Sequence, residues 1–488
     1  MSRVARSQTT ARAIWATCLL LFTAACQGPA IYQNRSAGQL VADKRVTLGE
    51  DGYRHAALQG RGSPELMLML AFSGGGKRSS AFSYGVLRGL REISVKTATG
   101  EHRLLDEVDG IGSVSGGTFT SAYYGLYRDR IFTDYERDFL KRDMESYIWG
   151  IYLLPWHWAW MFDPRYGTND AMERIYDDLM FHGATYAELK KLGSPVIWIG
   201  ATDISYGRVF TFNADNFDLL CSDLDSFPIA RAVAASNGLP VLFTPITLEN
   251  HAKDCGGWRP SWIDRNLRAD EDTQNRRRLL TQAANEYLDS SRSPYIHLSD
   301  GGIADNLALR GLLNLILSFE DDPEFERAQN FAAIRRILVV VADGQAAQNT
   351  SLAREKIVTG IGQIINSVSG SQIDNYNFET LNVMRSKIAE LVARVKSIRC
   401  AIGSTIDGRR CEDVEGHLLH LSLSEIADET QRTQLQNIAT GLTIPDADVD
   451  ALVAAGEAQI KQSPVVEKIV GAIRPLGDSP RVTSALTH

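Results

Sequence analysis

The chain has 488 residues, 44% of them hydrophobic and 23% charged, and a formal net charge of −8. This is a globular composition with ample material for a core, in two to three domains or one large α/β domain with additions. The acidic balance argues against a general nucleic-acid binder, whose phosphate contacts call for a basic surface.

Arg3, Arg6 and Arg12 precede an apolar run from Ala13 to Phe22, followed by Thr23-Ala24-Ala25-Cys26. A basic start, a short apolar stretch and small residues before a break form a secretory signal. The run is short for a transmembrane helix. Cys26 after two alanines resembles a bacterial lipoprotein signal, in which the cysteine is acylated and becomes the first mature residue. Thr23 stands where leucine is usual, and ordinary signal-peptidase cleavage nearby is the other reading. Gln27 in place of an aspartate points to the outer membrane. Residues 1–26 are thus expected to be the signal of an exported lipoprotein held to a membrane without spanning it. The polar residues 27–64 are expected to be a tether. Apart from Cys18 and Cys26, four cysteines remain: Cys221, Cys255, Cys400 and Cys411. They allow two disulfides in three pairings, of which proximity favours Cys221–Cys255 and Cys400–Cys411; four buried thiols are the alternative. No cysteine–histidine spacing suggests a metal, and no cofactor is expected.

Glu65 to Phe72 is a nearly continuous apolar run, which suits a strand buried on both faces of a parallel sheet. The loop Ser73-Gly74-Gly75-Gly76-Lys77-Arg78 follows, then Phe82, Val86, Leu87 and Leu90 at helical spacing. Such a glycine loop at a helix start lets consecutive N–H groups converge on an anion. A phosphate loop would need glycine at Ala71 and Ser or Thr at Arg78, and a dinucleotide fingerprint needs spaced glycines. The remaining anion is the oxygen that becomes charged during acyl transfer; a tight glycine turn is the plain alternative.

Leu104 to Ile111 is strand-like and enters Gly112-Ser113-Val114-Ser115-Gly116-Gly117, from which Phe119 to Leu126 leaves at helical spacing. A serine among small residues at a strand-to-helix turn suits a nucleophile elbow, although Ser-Gly-Gly alone is common. Tyr147 to Phe162 holds Trp149, Trp156, Trp158 and Trp160. That composition suits an acyl pocket wall, a lid or a membrane contact, or else buried core. Ser194 to Ala201, Arg208 to Asn213, Val241 to Leu248, Tyr295 to Leu298 and Ile334 to Ala342 are strand-like, and Ile229 to Asn237 and Leu307 to Leu317 helical. Residues 258–293 are polar and read as a solvated surface insertion. The alternation supports an α/β fold with helices on both faces of the sheet. Beyond residue 345 the chain is expected to be a separate, mainly helical region, with helices over Ile357–Ser367 and Leu381–Val395 and a strand over His417–Leu423.

Three loops at strand ends carry candidate chemistry: Gly74 to Arg78, Ser115, and Asp300-Gly301-Gly302. Together they resemble the patatin-like phospholipase family over roughly 65–345. That resemblance implies a three-layer α/β/α sandwich with a central, mostly parallel sheet. It implies Ser115 as nucleophile, with Gly116 and Gly117 in its motif, and Asp300 as the base of a Ser–Asp dyad in the Asp300-Gly301-Gly302 motif. Gly74, Gly75, Gly76, Lys77 and Arg78 would form the oxyanion loop, with donors from Gly75, Gly76 and Lys77. The implied reaction is cleavage of phospholipid or lysophospholipid acyl esters through an acyl-enzyme, with a membrane lipid as partner. Two positions depart from the family pattern: Ser113 replaces the first glycine of Gly-x-Ser-x-Gly, and Ser79 another glycine. The rivals are a Ser-His-Asp esterase using His417 or His420, and a non-catalytic lipid-binding lipoprotein.

Overall fold

The computed structural model describes residues 32–54, 62–97, 100–153, 167–240, 242–269, 276–318, 322–347, 361–406 and 408–473. The signal, Cys26, and Trp156, Trp158 and Trp160 lie outside the described residues. In chain order the elements that build the site are β1 (Leu66–Phe72), α1 (Gly76–Glu92), β2 (Val108–Val114), α2 (Gly117–Tyr127), β3 (Val196–Asp203), β4 (Arg208–Thr211), α3 (Ile229–Ser236) and β5 (Ile246–Glu249). They continue with α4 (Ser261–Ala269), α5 (Arg276–Tyr287), β6 (Tyr295–Ser299), α6 (Leu309–Ser318), β7 (Arg336–Asp343), α7 (Ile361–Ile402), β8 (Glu415–Ser422) and α8 (Asp446–Lys461).

The strands form one sheet in the order β8-β7-β1-β2-β3-β6-β5, with β4 also on β3. β8, β7, β1, β2 and β3 are parallel; β4, β6 and β5 join through antiparallel pairings. The layered, mostly parallel α/β/α architecture is therefore as expected. β3 and β7 are buried along their whole length, and β1 at all but one residue. Helices cover both faces of such strands, which is why they read as unbroken apolar runs.

Three expectations change. Residues 32–54 are not a tether. Tyr53 is fully buried, with its hydroxyl accepting the Ile197 N–H at 2.6 Å. Arg54 is paired with both Asp215 and Asp218. Asn34 bonds the backbone of Glu249 through both its amide groups. The stretch looked polar because its anchors are dispersed single residues without a period.

The boundary at 345 does not separate two bodies. β8 lies beside β7 from Glu415 to Ser422, in the same sheet. α8 lies along α1 with backbones nearly touching: a Cβ on Gly85 would stand 2.1 Å from the Val453 carbonyl, and one on Gly456 2.3 Å from that of Phe82. The two expected helices after residue 357 are one 42-residue helix, α7.

Residues 258–293 are also more than a solvated insertion. They carry α4 and α5, with Ile263 and Tyr287 buried and the Tyr287 hydroxyl on Asp203 at 2.8 Å. Disulfides join Cys221 to Cys255 and Cys400 to Cys411.

Candidate active site

β2 ends at Val114, and the chain turns at once into α2. Ser115 takes the turn with φ +45°, a left-handed conformation that a non-glycine residue adopts only where the surroundings hold it. The surroundings here are close. The Ser115 N–H donates to Ser236 Oγ at 2.9 Å, and its carbonyl accepts the Thr118 hydroxyl at 2.6 Å. A Cβ on Gly117 would meet the Phe72 carbonyl at 2.6 Å, so only glycine lets α2 start this near β1. The absent glycine at 113 does no harm. Ser113 is still in β2, and its hydroxyl lies 2.5 Å from that of Ser121 on α2. Across from it is a small polar residue, so the extra Cβ has room and its hydroxyl a partner.

Asp300 reaches Ser115 through the pairing of β3. Gly200 of β3 faces both Val114 of β2 and Thr211 of β4, which therefore lie on opposite edges. Thr202 and Asp203 face β4 on one side and Ser299 and Leu298 of β6 on the other. β6 thus takes the edge that β2 has just left, running the opposite way, and the two strands meet end to end. Their next residues are Ser115 and Asp300. Gly301 fits the junction because a Cβ there would stand 2.4 Å from the Gly200 carbonyl and 2.9 Å from Val114.

The Ser115 hydroxyl lies 3.0 Å from Asp300 Oδ2. Asp300 Oδ1 accepts the Gly302 N–H at 2.7 Å, and the aspartate backbone is tied to Gly238 and to the Thr202 hydroxyl. Burial raises the Asp300 carboxyl to about 6, against the lowering effect of the bonds from Gly302 and Ser115. A carboxylate with that pKa is ionised at neutral pH yet basic enough to take a proton.

The glycine loop lies beside the elbow. A Cβ on Gly74 would be 3.3 Å from that of Ser115, and one on Gly116 2.1 Å from the Gly76 carbonyl. The loop's donors divide differently from expectation. The Gly74 N–H goes to the Asn306 carbonyl, and that of Lys77 to the Gly441 carbonyl at 2.9 Å. The N–H groups of Gly75, Gly76 and Gly116 make no hydrogen bond among the described residues. The available set is therefore Gly75, Gly76 and Gly116, with Lys77 replaced by the residue after the serine.

The two basic side chains face away from the serine. Arg78 is buried and donates to the carbonyls of Gly344 and Ile438 and, at 2.9 Å, to Thr440 Oγ1. Lys77 is buried, donates to the Arg142 carbonyl, and is brought down to about 8 by that burial. Both side chains fasten the loop; neither offers a charge to a ligand at Ser115.

Sequence reasoning missed Ser236, Asn306, Thr440 and Gly441. Asn306 follows the Asp300-Gly301-Gly302 motif by four residues, and Ser236 lies in the helical stretch Ile229 to Asn237, so both have a local signal. Thr440 and Gly441 had none. The candidate histidines stand elsewhere. On β8, His417 is next to Glu415 and His420 is 3.1 Å from Asp343. β8 is three strands from β2, roughly 14 Å at ordinary strand spacing. No group of metal-binding side chains occurs among the described residues. No described helix is long and apolar enough to cross a membrane. An apolar cavity of about 130 Å³ lies between β1, β7, α6 and α7, lined by Met67, Met69, Leu312 and Leu391, at the end of β1 away from Ser115.

A family model described as patatin-like phospholipase matches residues 70–313. Among solved structures, human GIVD cytosolic phospholipase A2 aligns at 10% identity with a TM-score of 0.37, covering 90% of this chain and 66% of that one. The chain thus spans less than two thirds of that protein's length. No curated protein sequence matches it.

Proposed function

The chain belongs to the patatin-like phospholipase family, a family of lipid acyl hydrolases, and we propose that it cleaves fatty-acyl esters of phospholipids or lysophospholipids through a Ser115–Asp300 dyad. The observation that carries this reading is the 3.0 Å contact between the Ser115 hydroxyl and a buried carboxylate, at an elbow flanked by unbonded backbone donors.

Asp300 takes the hydroxyl proton as Ser115 Oγ attacks the acyl carbonyl. The carbonyl oxygen gains the negative charge and is held by the N–H groups of Gly75, Gly76 and Gly116. Asp300 returns the proton to the leaving alcohol, leaving an ester on Ser115. Water then attacks that ester with Asp300 again as base, and the fatty acid departs. Each backbone donor in such a hole stabilises the transition state by about 3 kcal/mol. The φ of +45° at Ser115 is a reason to favour an enzyme over a non-catalytic lipid binder, because backbone strain of this kind tends to persist at functional positions. Acylation of Cys26 and placement at the outer membrane belong to the same proposal and rest on the sequence alone.

The test is a panel of phospholipid, lysophospholipid, acylglycerol and short-chain ester substrates, with wild type and Ser115→Ala. Wild type should release fatty acid and be labelled by a fluorophosphonate probe, and Ser115→Ala should do neither. Acyl release that survives Ser115→Ala would overturn the proposal.

A further inference from the structure

The parallel strands β1, β2, β3 and β7 all point their C-terminal ends toward Ser115. Of the thirteen large apolar side chains exposed among the described residues, seven gather near that end. Leu239 and Leu242 are 48% and 63% exposed, just after Gly238, whose carbonyl accepts the Asp300 N–H. Ile303 is exposed on the turn that follows Gly301. Tyr147 and Trp149, at 41% and 64%, lie on the helix Met144–Leu153 that opens the tryptophan-rich stretch. The start of that helix is fastened to Thr443, two residues past the Gly441 that holds Lys77. Tyr376 and Phe378 are exposed on either side of Asn377, whose amide donates to Gln345 just past the end of β7.

Single exposed apolar residues are common on soluble proteins. Here seven of them share one end of the sheet, and it is the end that opens on the nucleophile. We infer that this end is a docking surface for a lipid bilayer, with Trp149 and Leu242 entering the interface on two sides of Ser115. The inference rests on the acyl-hydrolase reading for its purpose, since a docked surface delivers an acyl ester to the elbow without passage through water. Aromatic and aliphatic side chains gain free energy at the headgroup boundary. The chain's net charge of −8 supplies no overall attraction to anionic lipid. Binding should therefore occur on zwitterionic phosphatidylcholine and vary little with salt.

The test is co-sedimentation of the full chain, carrying Cys26→Ser to remove a lipid anchor at that position, with phosphatidylcholine vesicles. Ile402 provides the control: it is 63% exposed, like Leu242, but sits at the end of α7. That end lies near Arg399, which bonds the carbonyls leading into β7, at the opposite end of the sheet. Trp149→Ala and Leu242→Ser should each weaken vesicle binding roughly tenfold, and Ile402→Ser should leave it unchanged. Hydrolysis of dissolved p-nitrophenyl butyrate should be equal in all three variants and wild type. If wild type fails on that ester yet binds vesicles, the hydrolase reading falls and the docking surface stands. Absence of vesicle binding by wild type overturns the docking surface. So does an Ile402→Ser loss equal to that of Leu242→Ser, or an exposed patch that serves only to join two copies of the chain in solution.

Discussion

The two halves of the candidate site are built by different means. Ser115 and Asp300 sit on backbone of the central sheet, at the point where β2 and β6 meet along one edge of β3. The facing glycine loop depends on the far end of the chain: Gly441 accepts the Lys77 N–H, and Ile438 and Thr440 hold the Arg78 guanidinium. The first half is fixed by strand pairing, which is rigid and shared by many residues. The second is fixed by a few polar bonds to a connecting segment. Rate losses at the dyad should thus be chemical, whereas losses at the loop should include misplacement of donors.

The largest effect is expected at the dyad. Asp300→Asn should lower kcat by about 10²- to 10⁴-fold, the usual range for a general base. It should also raise stability. Burial raises the folded pKa of Asp300 to about 6, from about 3.9 for an ordinary aspartate. A raised carboxyl pKa favours the neutral form, so folding stability is highest below the unfolded pKa and is lost as pH rises through about 6. The charged form is therefore disfavoured in the fold by on the order of 3 kcal/mol at neutral pH. Asparagine avoids that penalty, and calorimetry near pH 7.5 should show a higher Tm alongside the lost activity. A lower Tm would mean that the carboxylate stabilises the elbow.

Gly76→Ala comes next. Its φ is +60°, and a Cβ would stand 2.7 Å from the Gly441 carbonyl. The methyl should push loop and segment apart and lower kcat by about 10²- to 10³-fold, as for loss of one oxyanion donor. KM for a dissolved ester should change little. A loss confined to KM would break the assignment of this loop to the oxyanion.

The halves should also differ in their response to acid. Below about pH 6 the wild-type kcat/KM should fall tenfold per unit as Asp300 protonates, and it should be level above. Backbone donors do not titrate, so Gly76→Ala should keep that profile at a lower height. A shifted midpoint in Gly76→Ala would show that the two halves are electrostatically linked.

The smallest effect is expected from Thr440→Val, which removes one acceptor of the buried Arg78. It should reduce stability by about 1 to 3 kcal/mol in chemical unfolding and kcat several-fold. Full activity in a destabilised Thr440→Val protein would make the segment a support for the fold alone.

This division also explains what could be read from the sequence. The two residues proposed as the dyad are legible because an elbow and its aspartate each need small residues at fixed local offsets, as in Ser113 to Gly117 and Asp300 to Gly302. The core strands were legible because parallel strands buried on both faces are unbroken apolar runs. The role of Arg78 as a fastener of the loop is not legible, because the carbonyls that occupy it come from residues 344 and 438, far along the chain. The packing of α8 on α1 was hidden because its means are the bare backbones of Gly85 and Gly456, which carry no hydrophobic period. The anchoring of Asn34, Tyr53 and Arg54 is hidden in the sequence because their bonds are to residues some 140 to 220 positions away.

The attachment of the N-terminal stretch bears on how the molecule would be held. Asn34 is bonded to Glu249, the last residue of β5. β5 runs the same way as β3, so Glu249 lies at the end of the sheet where Ser115 opens. From Cys26 to Asn34 is a reach of no more than about 29 Å even if fully extended. An acyl group on Cys26 would therefore act as a short leash fixed on the working side, keeping the mouth within about one leaflet's distance of the bilayer. Lengthening that leash with a flexible insert after Gln27 would let the body turn away, and should slow hydrolysis of the anchoring membrane while sparing a dissolved ester.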